Sequence, residues 1–182
     1  VSGPLAIEAV LSPADLKTLL AALRTAASHP ATVIDPTPGG VVMAQVRRTQ
    51  RLELDAATEA LIRARLEAQR PRLEAHFGQR LGPLETPQAL RYGPGDYFVA
   101  HQDGNTPLVH DRSRHRRVSI SLLISAPDDY AGGDLVFHDG AERRTAVIPA
   151  GCAVAFRAET THEVTPLATG ERFSLAAWWM AP

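Results

Sequence analysis

Three residues stand out because their types and spacing could do chemistry: His101, Asp103 and His162. His101 and Asp103 are two apart in "YFVAHQDG", so on an extended strand both side chains leave one face while Gln102 points the other way. His162 follows much later, in "TTHEVTP", at the start of another predicted strand where a fold can bring it beside the first pair. Two neutral imidazoles and one carboxylate on one side of a metal match the facial ligand set of non-haem Fe(II) centres. Such a set leaves the opposite positions open for a bidentate cosubstrate and oxygen. A His-x-Asp pair alone occurs in many proteins, and a strand histidine is more often a surface or core residue satisfied by hydrogen bonds.

A basic residue ten positions after His162 extends the reading. In "GERFSLAAWW" the period-2 pattern puts Arg172, Ser174, Ala176 and Trp178 on one face and Phe173, Leu175, Ala177 and Trp179 on the other. A buried arginine needs an anionic partner. The far carboxylate of 2-oxoglutarate would give Arg172 a bidentate, charge-assisted pair, with Ser174 adding a hydrogen bond to the same group. A structural ion pair with Asp or Glu is the alternative.

The elements that must position these groups are short strands. From about residue 88 the chain reads as "QALRYG", "YFVAHQD", "RVSISLLIS", "GDLVFH", "TAVIP", "CAVAF", "HEVTP" and "RFSLAAWWM", separated by Gly, Pro and Asp. Eight such runs predict a jelly roll or barrel. Before them, residues 12–28 predict a helix: Ser12 can cap, Pro13 suits the first turn, and Leu16, Leu19, Leu20 and Leu23 form a stripe ending at "SHP". "DPTPGG" reads as a turn or loop and "VVMAQVRRT" as a strand. Asp55 opens a second helical region that Pro71 should kink or divide before Gly78 ends it. The expectation is a mainly β, α+β chain, one domain over 1–182. Residues 1–87 form a support region whose helices pack on one sheet, and 88–182 carry the core.

These motifs, in this order, resemble the prolyl-4-hydroxylase-like branch of the 2-oxoglutarate, iron(II) oxygenases, particularly small bacterial members. The resemblance covers roughly the half of the chain from residue 88 onward. "RYGPGDYFVAHQD" resembles the family's tyrosine, glycine-rich turn, aromatic and His-x-Asp sequence; "RVSISLLIS" its following long strand; "GGDLVF" its glycine-pair turn; and "HEVTPLATGER" its distal histidine, proline and basic anchor. The resemblance implies a double-stranded β-helix with helices on one side. It implies that His101, Asp103 and His162 bind Fe(II) and that Arg172 binds 2-oxoglutarate. Tyr92 matches a tyrosine that in relatives hydrogen-bonds the cosubstrate, and a plain barrel aromatic is its alternative role. The implied reaction is O2-dependent hydroxylation of an unactivated C–H bond with release of succinate and CO2, ascorbate being supportive. Two departures bear on the substrate. The best-known prolyl hydroxylases carry Lys where this chain has Arg172, so Arg172-Phe173-Ser174 is closer to the Arg-x-Ser anchor of other branches, and their peptide-recognition domain is not expected here. The substrate expected is therefore an amino acid or a peptide or protein residue, proline being one option, with Tyr97, Gln102 and Arg116 on the substrate side.

The remaining features narrow the field. A formal net charge of -1 gives no global field for nucleic acid or an anionic membrane. Nucleic-acid dealkylases of the superfamily resemble one another in a second arginine six residues after the first, and that position here is Trp178. "RSRHRR" at 112–117 is a basic run that reads as a solvated loop able to rim the pocket, and nucleic-acid binding through it is a minor alternative. The single cysteine, Cys152, excludes an internal disulfide and a thiolate-rich zinc site, suits a reducing cytoplasm, and reads as a small core residue. No apolar run approaches the roughly 18 residues of a membrane span. The opening "VSGPLAIEAVLS" shows neither a basic leader nor an apolar signal core. His110, His115 and His138 read as surface or turn residues, and His29 and His76 as residues closing helices. Thr160 and Thr161 read as loop residues or as groups that hold His162. A non-catalytic metal- or small-molecule-binding jelly roll is the rival to an enzyme. The oligomeric state has no sequence signature.

Overall fold

The leucine stripe and the strand alternation are satisfied together by a helix layer lying on one of two facing sheets. The computed structural model describes residues 2–33, 41–107 and 111–182. Helix α1 is Pro13–Thr25, started by a capping box in which Ser12 and Asp15 each satisfy the other's backbone N–H. Asp55 caps α2, Ala56–Glu67. Pro71 sits in the first turn of α3, Arg70–Phe77, so the second helical region is divided rather than kinked, and Gly78 closes it in the left-handed conformation.

The strands are β1 (Leu5–Ile7), β2 (Ser28–Pro30), β3 (Arg47–Arg48), β4 (Gln50–Leu52), β5 (Gln88–Tyr92), β6 (Tyr97–His101), β7 (Arg116–Leu123), β8 (Tyr130–Gly132), β9 (Leu135–Asp139), β10 (Glu142–Thr145), β11 (Ala153–Arg157), β12 (His162–Val164), β13 (Leu167–Gly170) and β14 (Arg172–Met180). They form a seven-stranded sheet in the order β1-β11-β7-β14-β5-β4-β2, a five-stranded sheet in the order β10-β9-β12-β6-β3, and the β13-β8 pair. The two larger sheets face each other as a jelly roll.

Strand alternation divides the core in two. Val118, Ile120 and Leu122 of β7 and Phe173, Leu175, Ala177 and Trp179 of β14 turn outward against Leu19 and Leu23 of α1, Ile62 and Leu66 of α2, and Leu73 and Phe77 of α3. Leu90 and Tyr92, Leu135 and Phe137, Val154 and Phe156, and Val164 turn inward between the sheets. The first core carries most of the stability, since each fully buried leucine or phenylalanine contributes about 1.5–3 kcal/mol. The second is smaller because polar residues share its face.

Several local expectations are corrected. α1 stops at Thr25, and "SHP" forms the edge strand β2 paired to β4, so His29 closes no helix; Ala26, already extended, ends the helix early. "VVMAQVRRT" is not one strand. Its chain turns at residues 44–46, pairs with β6 through Arg47 and Arg48, and passes Thr49 into the other sheet as β4. "TAVIP" is not a strand either: β10 comes earlier, over "ERRT", because the turn at Gly140 folds it back on β9, and Val147 stands exposed. Cys152 is half-buried rather than a core residue. "DPTPGG" and His110 lie outside the described residues. Within residues 1–87, β1, β2 and β4 extend the larger sheet and β3 extends the smaller.

Candidate metal centre and cavity

Register places the three candidate ligands. β12 pairs with β6 so that His162 lies directly opposite His101, and a bulge between His162 and Val164 breaks the alternation. The bulge lets Phe98 and His101 share a face, their rings stacked at 3.5 Å. Asp103 lies just beyond the end of β6, its N–H donating to Ala158 O at 2.9 Å. The next residue must be glycine, because a Cβ at Gly104 would run into Ser113 O. One ligand atom from each of His101, Asp103 and His162 can be chosen so that all lie within 4.8 Å of one another.

Both imidazoles are fixed in the tautomer that a metal needs. His101 Nδ1 sits 2.8 Å from Val99 O and His162 Nδ1 sits 2.9 Å from Thr160 O. A carbonyl oxygen only accepts, so each Nδ1 carries the proton and each Nε2 presents a lone pair. Those Nε2 atoms lie 3.5 and 3.6 Å from the Asp103 carboxylate oxygens. Burial pushes the His162 imidazole down to about 4, although Asp103 beside it pulls the other way. Burial alone would raise Asp103, but His162, His101 and Arg116 together hold its carboxyl well below the usual carboxylate range. At neutral pH the set is therefore neutral His162 beside ionised Asp103, the state required of metal ligands. Ser119 donates to Asp103 Oδ2 at 2.7 Å and orients it.

An open cavity of about 900 Å³ lies over this cluster and reaches Arg172. Arg172 is 3% exposed. It donates to Ser174 Oγ at 2.9 Å and lies over the Tyr92 ring at 5.5 Å. Among the described residues no carboxylate lies within ion-pair distance of it, so the structural ion pair considered from sequence is not formed. Tyr92, opposite Arg172 across the β5–β14 ladder, is buried and lines the same cavity. The glycine pair belongs to this arrangement. Gly133 has a φ of +66°, and a Cβ there would sit 2.6 Å from Leu167 Cδ1 and 3.2 Å from the Arg172 stem.

The residues expected on the substrate side divide. Arg116 lines the cavity, but Glu85 takes its guanidinium through two contacts at 3.0 and 2.8 Å, and it stacks 3.8 Å over Trp178. It also donates to Asp103 O at 3.3 Å, which makes it a brace for the ligand loop. Gln102 lines the cavity with its amide committed to Glu159 O at 2.8 Å. Tyr97 lies outside the lining and donates to Ala44 O at 3.1 Å. From "RSRHRR", Arg112, Ser113 and Arg116 reach the rim. Of the two threonines, Thr160 holds His162 through its carbonyl, whereas the Thr161 hydroxyl accepts from Gln102 at 3.4 Å and does not bond the imidazole. His115 is exposed beside Arg114, His138 lies on β9 beside Glu163, and His76 is in the last turn of α3.

Sequence reasoning missed Ser119, Glu85 and Arg47. Ser119 had a signal: Ser119 and Ser121 alternate with Val118, Ile120 and Leu122, so one face of β7 is polar where a purely apolar core would not be. Arg47 is buried, lines the cavity and lies 4.8 Å over Phe98, with burial pushing its guanidinium below the usual range. It had no signal, because the run around it reads as an ordinary strand.

Comparisons with known proteins agree with this geometry. The family model described as the 2OG-Fe(II) oxygenase superfamily matches residues 87–180. A PKHD-type hydroxylase of Paracoccus denitrificans (strain Pd 1222) is 37% identical over 94 residues, covering 50% of this chain and 41% of the relative. A PKHD-type hydroxylase of Shewanella sp. (strain MR-7) is 33% identical over 152 residues, covering 81% of this chain and 66% of the relative. The matched stretch thus spans less than two thirds of each relative's length. The crystal structure of a Pseudomonas putida prolyl-4-hydroxylase superposes with a TM-score of 0.77 at 22% identity, covering 100% of this chain and 94% of that one. At that identity it establishes the shared jelly-roll fold.

Proposed function

The chain belongs to the 2OG-Fe(II) oxygenase superfamily, and on that premise we propose that it is an iron(II)- and 2-oxoglutarate-dependent hydroxylase acting on an amino acid or a peptide residue. One observation carries the reading: two imidazole Nε2 atoms and a carboxylate converge on a cavity that also holds a buried arginine with no carboxylate beside it among the described residues. The donor set fits Fe(II), being two neutral nitrogens and one anionic oxygen with the cavity side left open. When bound, iron with 2-oxoglutarate and O2 supplies the oxidation, one oxygen atom going into a substrate C–H bond and the other into succinate as CO2 leaves.

The protein's own residues prepare for this. The Val99 and Thr160 carbonyls hold the two imidazoles in one tautomer, and Ser119 and Arg116 hold the Asp103 loop. Arg172 and Ser174 offer donors to a carboxylate from the opposite sheet, among Leu90, Leu135 and Val164, whose apolar surroundings strengthen such a pair. Phe98 and Phe156 pack on His101 and His162 and keep water from the ligands' inner sides. The names of the relatives, PKHD-type hydroxylase and prolyl-4-hydroxylase, support hydroxylation as the outcome. A non-catalytic binding barrel would leave Arg172 with no purpose.

The test is succinate formation by the chain supplied with Fe(II), 2-oxoglutarate, O2 and ascorbate, over pools of amino acids and peptides. A product gaining one oxygen atom, and its loss in His101→Ala, is the result expected. A chain that binds neither iron nor 2-oxoglutarate and forms no succinate with any pool refutes the proposal.

A further inference from the structure

Arg47 is the buried cation on the cavity wall for which the proposed chemistry has no use. It is 8% exposed and sits on β3 opposite Phe98, on the sheet that also carries His101 and His162. Its guanidinium lies 4.8 Å from the Phe98 ring centroid, and that ring stacks on His101 at 3.5 Å, so only one ring separates Arg47 from a candidate ligand. Nη1 donates to Thr32 O at 3.0 Å, which with Phe98 fixes the plane of the group, while Nε has no hydrogen-bond partner. Among the described residues no carboxylate lies within ion-pair distance of it.

Two of the other cavity cations are accounted for. Glu85 neutralises Arg116, and the cosubstrate carboxylate neutralises Arg172 in the reading above. Arg51 lines the cavity too, adding a second positive charge to the wall near Arg47. A desolvated guanidinium with no counter-ion among the described residues is costly, and a planar one fixed by Thr32 and Phe98 on the cavity wall can offer charge-assisted hydrogen bonds to a carboxylate.

We propose that Arg47 binds a terminal carboxylate of the substrate, so that the chain takes either a free amino acid or a peptide by its C-terminus. That grip decides which carbon is presented to the ligand cluster beyond Phe98. The inference rests on the function proposed above. It is tested with the full chain loaded anaerobically with Fe(II) and 2-oxoglutarate, following tryptophan fluorescence, since Trp178 lines the cavity. The probes are the free amino acids with their α-amides, and short peptides with free or amidated C-termini; the two arms distinguish the two sources.

The expected result is a ligand bound about tenfold or more tightly than its amide, a difference of 1.4 kcal/mol. Arg47→Gln should bring the ratio to within about twofold, and Arg47→Lys should restore part of it, as a point charge without the planar fork would. Amides binding as tightly as acids overturn the inference, as does an acid preference that survives Arg47→Gln, or silence in both arms while 2-oxoglutarate binds. Failure of 2-oxoglutarate itself to bind overturns the underlying function as well. The comparison of acids with amides on the unmodified chain stands even if Arg47→Gln does not fold.

Discussion

Replacing Arg172 by methionine separates a cosubstrate anchor from a structural cation, because the two roles give opposite stability signatures. In the metal-loaded parent chain, 2-oxoglutarate at a hundred times its Kd should add about 2.7 kcal/mol of stability. For a domain of this size that raises Tm by roughly 5–10 °C. Losing a desolvated, hydrogen-bonded charge pair costs about 2–5 kcal/mol of binding, which weakens Kd roughly thirtyfold to several thousandfold. At the same ligand concentration the stabilisation of Arg172→Met should then fall below about 1 kcal/mol. Without ligand, methionine forfeits the 2.9 Å bond to Ser174 and the contact over Tyr92. It also relieves an arginine that is 3% exposed and has no carboxylate partner among the described residues. Exchanging buried charges for apolar residues of similar volume is often neutral or stabilising by about 1–4 kcal/mol. Tm of the ligand-free variant should therefore be unchanged or higher. Thermal unfolding with and without 2-oxoglutarate measures both quantities. A ligand-free loss of about 3–5 kcal/mol, the mark of one broken partner of a buried pair, or a retained 2-oxoglutarate shift, would refute the assignment.

Three further outcomes are expected. Because burial lowers folded His162 to about 4 against 6.5 when unfolded, the unfolded chain binds the extra proton between those values. Metal-free stability is thus full above pH 6.5 and falls by roughly 3 kcal/mol as pH drops to 4; denaturant titrations across that window check it, and a flat profile counts against a buried neutral imidazole. Ser119→Ala, by freeing the Asp103 carboxylate, should weaken Fe(II) binding about tenfold or more, as equilibrium dialysis would read. Gly133→Ala places a methyl group against Leu167 and the Arg172 stem at a φ of +66°. It should lower stability by about 1–3 kcal/mol and weaken 2-oxoglutarate binding, and calorimetric titration finding parent-like affinity would show that the turn does not set the anchor.

Legibility in the sequence followed the range of each interaction. β14 was readable because alternation is local: Phe173, Leu175, Ala177 and Trp179 face the helices, and Arg172, Ser174, Ala176 and Trp178 line the cavity, as the period predicts. Helix starts at Ser12 and Asp55 were readable because caps are local too. The end of α1 was not, since pairing of "SHP" with β4 outweighs the continuing helical pattern. Glu85 and Arg47 were invisible for the same reason. Their roles arise from Arg116, Thr32 and Phe98, which are distant in sequence and adjoin them only in the folded chain.

The spacing between His162 and Arg172 was legible although the two residues lie on different sheets, and the topology explains why. His162 begins β12 in the five-stranded sheet, whereas Arg172 begins β14 in the seven-stranded one. Between them the chain leaves the first sheet, forms β13 against β8, and turns at Gly170, where φ is +79° and a Cβ would collide with Asp129 O. This crossover sets a fixed path length and delivers Arg172 to the wall facing the ligand cluster. Strand period then makes the count strict. One residue more or fewer would turn Arg172 toward the leucines of the helix layer and carry Phe173 into the cavity. The ten-residue interval is therefore the sequence trace of two sheets held face to face, and it carries geometric information that a His-x-Asp pair lacks.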